Sequence, residues 1–223
     1  MNTYKSIAAP LMAAALAFGS AANAAMTTQT LGDADFTNGQ SVGSGTFTSA
    51  SAGDPAPFNQ FIGSDVAGPN FSTTFTFSYG AIVDPITSAT IQLGLYDGDS
   101  AASGNQVASF TVDGNDITAL LNTALEATPG ATGQEIYYSV SLSGAALTAL
   151  ADGSALFSLA LQGPGLGVLG NTSFNGAGLD FATLTINTQP QGGTTPVPEP
   201  ATWSIVLLGG AGILVSRRRA RRG

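Results

Sequence analysis

The sequence predicts a mostly β chain: one antiparallel, jelly-roll-like β-sandwich with one or two short helices, between an N-terminal signal peptide and a C-terminal transmembrane helix. Three observations predict it. Apolar residues alternate with Ser and Thr along much of the middle of the chain, the pattern of strands with one buried face. Helical spacing is confined to two short stretches. Every basic residue sits near an end, Lys5 at one and Arg217, Arg218, Arg219, Arg221 and Arg222 at the other.

Residues 1–24 read as a secretory signal peptide. Lys5 gives a charged start, Ile7 to Phe18 an apolar core, and Ala22-Asn23-Ala24 a small-x-small site. Cleavage is expected after Ala24, with Ala25 as the alternative, which makes signal peptidase a partner during export. The apolar core is too short for a span of about 20 residues.

Residues 25–189 form one acidic ectodomain, long enough to bury a sizeable core. Its clearest strand is Phe71 to Tyr79, with Phe71, Thr73, Phe75, Phe77 and Tyr79 on one face and Ser72, Thr74, Thr76 and Ser78 on the other. Ser88 to Asp97 turns Ala89, Ile91, Leu93 and Leu95 inward. Ile136 to Leu142 does the same with Ile136, Tyr138, Val140 and Leu142, leaving Tyr137 outward. Ala155 to Leu161 offers Phe157, Leu159 and Leu161, and Leu179 to Ile186 closes the domain. Gly45 to Thr48 and Val107 to Val112 are weaker strand candidates. Asp116 is placed to cap a helix carrying Ile117, Leu120, Leu121, Ala124 and Leu125, stopped by Thr128-Pro129-Gly130. Ala145 to Ala151 gives a further helical turn or two, halted at Asp152-Gly153. That pair, Asp97-Gly98 and Asp113-Gly114 are dipeptides of tight turns.

Composition excludes much chemistry. The chain has no Cys and no His, and neither Lys nor Arg occurs from Thr27 to Ser216. Ser-His-Asp, Ser-Lys and Cys-His arrangements cannot be built, nor a zinc site with thiolate or imidazole ligands. A carboxylate pair is the surviving catalytic option. The domain has only Glu126 and Glu135 beside aspartates that sit mostly in turns, so a non-enzymatic protein is expected. Nucleic acid is not expected as a partner, because nothing neutralises phosphates.

No ion pair can form within the domain except to a chain terminus. Its acids must be solvated, bonded to backbone N–H, or bound to a cation. Calcium suits oxygen-rich loops, and Asp97, Asp99 and Asp180 are its expected ligands, with Asn105 close behind the first two. Ala101 and Ala102 break the EF-hand pattern. The competing reading assigns these aspartates to turns alone, and no other cofactor is expected. A sugar site would call for an exposed aromatic platform; Trp203 belongs to the tail, which leaves Tyr137 as a candidate.

Residues 190–196 are a Gly/Pro/Thr linker and 197–223 a distinct tail. In order it carries Val197-Pro198-Glu199-Pro200, Ala201-Thr202-Trp203, an apolar run to Val215 that contains Gly209, Gly210 and Gly212, and the arginines. Positive charge after an apolar segment places that end in the cytoplasm and the preceding domain outside. The tail resembles the PEP-CTERM sorting signal of Gram-negative bacteria. The resemblance implies an inner-membrane-anchored intermediate, recognition by an exosortase, and processing near the Pro-Glu-Pro. It further implies delivery to the cell surface or extracellular matrix, in company with exopolysaccharide or biofilm. An unprocessed membrane anchor is the competing reading. Gly176 to Ile186 also resembles the last strand of carbohydrate-binding jelly rolls, which leaves a calcium-stabilised carbohydrate-binding module as the alternative function.

Overall fold

The structure, a computed structural model, describes residues 24–99, 104–163 and 174–189. The signal-peptide core with Ala22, the linker, the Val197–Pro200 motif and the arginines all lie outside the described residues; Ala24 is exposed at their start. No helix among the described residues is long and apolar enough to cross a membrane.

The described residues are mostly β, in two antiparallel sheets with a few short helices. In the first sheet β1 (Ala25–Gly32), β9 (Ala177–Thr188), β4 (Ile86–Tyr96) and β7 (Glu135–Leu142) lie side by side in that order, and β2 (Phe61–Ile62) also pairs with β9. In the second the order is β3 (Ser72–Ser78), β8 (Ser154–Leu161), β5 (Val107–Val112) and β6 (Asn115–Asp116). The helices are α1 (Ser44–Ala50), α2 (Thr118–Ala127) and α3 (Gly144–Ala149).

Alternation does what it should in the strongest strands. Phe75 and Phe77 of β3, Ile91, Leu93 and Leu95 of β4 and Tyr138 and Val140 of β7 enter one core shared by both sheets. Phe157 of β8 stacks on Phe75 at 5.4 Å and on Phe110 at 5.7 Å, and meets Phe77 edge-on at 5.8 Å. Truncating such a ring to alanine costs about 3–5 kcal/mol. The Asp113-Gly114 turn joins β5 to β6 with both residues at positive φ, 49° and 76°, the two-residue hairpin its dipeptide favours. Gly153, at φ 95°, ends the short helical stretch that follows β7.

Four features depart from expectation. Gly45 to Thr48 is helical, inside α1, where Thr48 and Ser49 hydroxyls bond the carbonyls of Ser44 and Gly45 at 2.9 and 2.7 Å. Hydroxyls that satisfy the backbone locally remove the need for a strand partner. Leu120 is 41% exposed, because α2 turns Ile117, Leu121 and Leu125 inward instead. Asn122 joins that buried face and bonds both the N–H and the carbonyl of Val107. Asp116 acts one step before the helix, its Oδ1 accepting the Thr118 N–H at 2.9 Å while Ile117 occupies the cap position.

The fourth is β1, which the apolar pattern misses. AMTTQTLG alternates polar with polar, yet it pairs with β9 from Ala25↔Thr188 to Gly32↔Phe181. Facing threonines hold it, with Thr30 and Thr183 hydroxyls 2.8 Å apart.

Candidate functional site

The site is built on the face of the first sheet that points away from the main core. Strand β9 changes phase at Asp180: its register with β4 shifts between Gly94 and Leu95, so Leu179 and Ala182 both face the core. The extra residue of such a bulge re-aims a side chain. Here it sends the Asp180 carboxylate to the outer face, where Oδ2 accepts the Asp35 N–H at 3.2 Å.

Residues 33–42 cross this face as a strap. Gly39 N–H donates to the Glu135 carbonyl at 2.7 Å, and Glu135 N–H to the Gln40 carbonyl at 2.9 Å. Tyr137 N–H bonds Asn38 Oδ1, and its hydroxyl bonds the Phe36 carbonyl. A small second core of Phe36, Phe47 and Tyr96 lies here, with Phe47 stacked on Tyr96 at 4.7 Å. Gly178 makes that stack possible, since a Cβ there would meet the Phe47 ring at 2.3 Å.

Two acidic groups border this small core. In the first, Asp65, Asp97 and Asp99 bring carboxylate oxygens within 4.8 Å of one another. Asp97 and Asp99 are buried and sit at φ 58° and 49°, left-handed positions that aspartate tolerates. Each carboxylate has a donor: Gly133 N–H for Asp97, Thr132 hydroxyl at 2.9 Å for Asp99, and Gly176 N–H at 2.7 Å for Asp65. The buried Asn175 amide bonds the Gly98 carbonyl, and its Oδ1 has no partner. Burial pushes Asp97 up to about 6, with the Gly133 N–H opposing the shift. An open cleft of about 460 Å³ runs beside Asp65 and Asp97, edged by Ser44, Thr48, Phe61 and Ser64.

The second group lies over Asp180. Asp33, Asp35 and Asp54 bring carboxylate oxygens within 4.8 Å of one another on the strap and the loop after α1. Asp180 lies against Asp35, and Glu135 is within electrostatic reach of both. Burial first and the Asp180 carboxylate second push Glu135 up to about 9. Burial and Asp35 raise Asp180 to about 7. Glu135 reaches across the central strand at Gly94, where a Cβ would lie 2.5 Å from its Oε1 and 2.5 Å from the Phe181 ring.

The three residues expected to share a cation are therefore divided. Asp97 and Asp99 stay together and gain Asp65; Asp180 belongs with Asp35 and Glu135. Asp65 sits among turn residues, Gly63-Ser64 before it and Gly68-Pro69 after it, but nothing local links that loop to Asp97 and Asp99. The Asp33-Ala34-Asp35 spacing was visible but sits beside a strand the pattern misses. Glu135 immediately precedes the alternating run that begins at Ile136, so its burial depends on a strap no periodicity shows. Tyr137 packs edge-on against Phe181 at 4.8 Å and holds the strap, leaving little of it for a sugar platform. Among the described residues every aromatic side chain is at least partly buried. As acids, Glu135 and Asp180 have the shifted character of a catalytic pair, but neither exposes any surface to a substrate.

No protein-family model and no curated protein matches this chain. Among solved structures it is similar to dimeric latent PorU from Porphyromonas gingivalis, at 10% identity and a TM-score of 0.35. The match covers 77% of this chain and spans 14% of that one. A likeness of that extent carries no argument about function.

Proposed function

We propose that the chain is an exported, non-enzymatic cell-surface or extracellular-matrix protein, sorted by an exosortase through its tail and engaged in exopolysaccharide or biofilm organisation. The observation that carries this reading is the order of the tail: Val197-Pro198-Glu199-Pro200, an apolar run, then Arg217 to Arg222. Its topology agrees with the other end, since a signal peptide exports the domain and the arginines stop transfer. The steps are translocation, signal-peptide removal, arrest in the inner membrane, and processing near Pro198-Glu199-Pro200.

The exported part is read as a jelly roll. With β2 set aside and the other eight strands numbered afresh along the chain, the sheets run 1-8-3-6 and 2-7-4-5. That order supports two Greek keys closed on one core. A framework of this kind needs no catalytic side chains to act as a matrix component.

Intact mass of the protein recovered from the surface and medium of its native host tests the reading. A chain that begins near Ala25 and ends near the Pro-Glu-Pro is expected. A mass that retains Arg217 to Arg222 would leave an ordinary membrane anchor in its place. The second reading, a calcium-stabilised carbohydrate-binding module, is favoured by the convergence of Asp65 on Asp97 and Asp99 beside a cleft. It predicts saturable glycan binding that Asp97→Asn weakens; glycan binding unchanged by that substitution would remove the reading.

A further inference from the structure

The second acidic group concentrates negative charge where the chain has nothing of its own to neutralise it. Glu135 and Asp180 are fully buried. Both carboxylate oxygens of Glu135, one of Asp180 and one of Asp54 are shut off from solvent without a hydrogen-bond partner. Leaving such oxygens unpaired is costly. No Lys, Arg or His occurs between Thr27 and Ser216 to serve them. Asp33 and Asp35 are exposed, so the group is open to solvent on one side.

We propose that Asp33, Asp35 and Asp54, whose carboxylate oxygens converge within 4.8 Å, bind one hard divalent cation of calcium's class, with the buried Asp180 and Glu135 carboxylates beneath adding uncompensated negative charge. The ion fastens the strap of residues 33–42 to the loop that carries Asp54, over strands β7 and β9. The converging donors and the buried acids beneath them are all carboxylates, the ligands such ions select, and no imidazole or thiolate is present to favour zinc or copper. Calcium accepts six to eight oxygens at irregular angles, a number these side chains and water supply together. The site is separate from Asp65, Asp97 and Asp99, whose carboxylates already take hydrogen bonds from Gly176, Gly133 and Thr132. It does not depend on how the tail is processed.

The test uses the full chain, stripped with a chelator and titrated with calcium chloride. Calcium at about a hundredfold excess over Kd raises Tm by roughly 5–10 °C. Amide exchange in residues 33–42 slows in the same titration. Glu135→Gln and Asp180→Asn keep side-chain shape and remove charge; each diminishes the calcium-dependent rise, yet in chelator melts no lower than the parent. Asp35→Asn, at the exposed mouth and outside the packed core, weakens calcium binding about tenfold or more. Asp97→Asn leaves the rise in place. The proposal is overturned by an unchanged parent Tm at about 10 mM calcium, above the range of extracellular calcium modules. It is equally overturned by a full rise in both Asp35→Asn and Glu135→Gln, or by a rise that Asp97→Asn removes and Asp35→Asn does not.

Discussion

The two acidic groups beside the Phe36–Phe47–Tyr96 core use the same residue type and treat buried charge in opposite ways. Asp65, Asp97 and Asp99 sit in loops, and Gly176, Gly133 and Thr132 of facing loops supply a donor to each carboxylate. Glu135 and Asp180 lie on strands beneath the strap, where the Asp35 N–H serves one Asp180 oxygen and no donor reaches the other three of their four oxygens. A loop packed against another loop can satisfy an acid with free backbone and hydroxyl donors. A strand leaves a buried acid to a proton or to an ion from outside.

That contrast can be broken from several sides. The largest effect is expected from Gly94→Val, because the new side chain occupies the space of the Glu135 carboxyl and the Phe181 ring. Overpacking of this kind costs about 3 kcal/mol, read as a fall in the urea midpoint. It should also remove the calcium response of the second group. A variant as stable as the parent would mean that Glu135 does not cross the strand there.

Next in size is pH dependence in chelator. Glu135 at about 9 and Asp180 at about 7 lie above their ordinary values of 4.5 and 3.8, first through burial. Burial also raises Asp35 and Asp54, with the Asp33 carboxylate adding to both. The folded chain thus keeps protons that the unfolded chain releases. This contribution to stability is whole below about pH 4 and is lost as pH rises through 7 and then 9. Melting curves across that range should fall towards alkaline pH, and a Tm that climbs from pH 5 to 9 would contradict the assignment.

The first group should respond to geometry more than to charge. Asp97→Ala loses the Gly133 hydrogen bond and places alanine at φ 58°, for a cost of about 2 kcal/mol. Asp97→Asn keeps an acceptor and tolerates the left-handed backbone, so its cost stays below about 1 kcal/mol. Equal losses in the two variants, measured by denaturant titration, would show that charge governs this group too. The smallest effect is that of monovalent salt. The chain has a net charge of −8 and its domain lacks attractive pairs, so added salt raises Tm slightly by screening repulsion.

Much of the framework was legible because its signal is local. Phe75 and Phe77, Leu93 and Leu95, and Tyr138 and Val140 each announce a buried face by spacing alone. Asp113-Gly114 announces its turn through backbone preference. Strand β1 was not legible, since its threonines are recognised by partners 153 and 157 positions away. The cation group was half legible. Asp180 stood out as an acid in an apolar strand, but its companions come from a strap, a loop and a neighbouring strand that only long-range pairing unites. Asp97 and Asp99 looked alike to it in sequence, yet they follow β4 in a loop held by Gly133 and Thr132, while the bulge turns Asp180 towards Asp35.

The central claim is that the second group, and not the loop-bound first, requires an ion. Anomalous diffraction from a crystal of the full chain grown with calcium tests it most directly. The account predicts a peak about 2.3–2.6 Å from oxygens of Asp33, Asp35 and Asp54, above Asp180. An empty second group, with or without a peak between Asp65, Asp97 and Asp99, would contradict it.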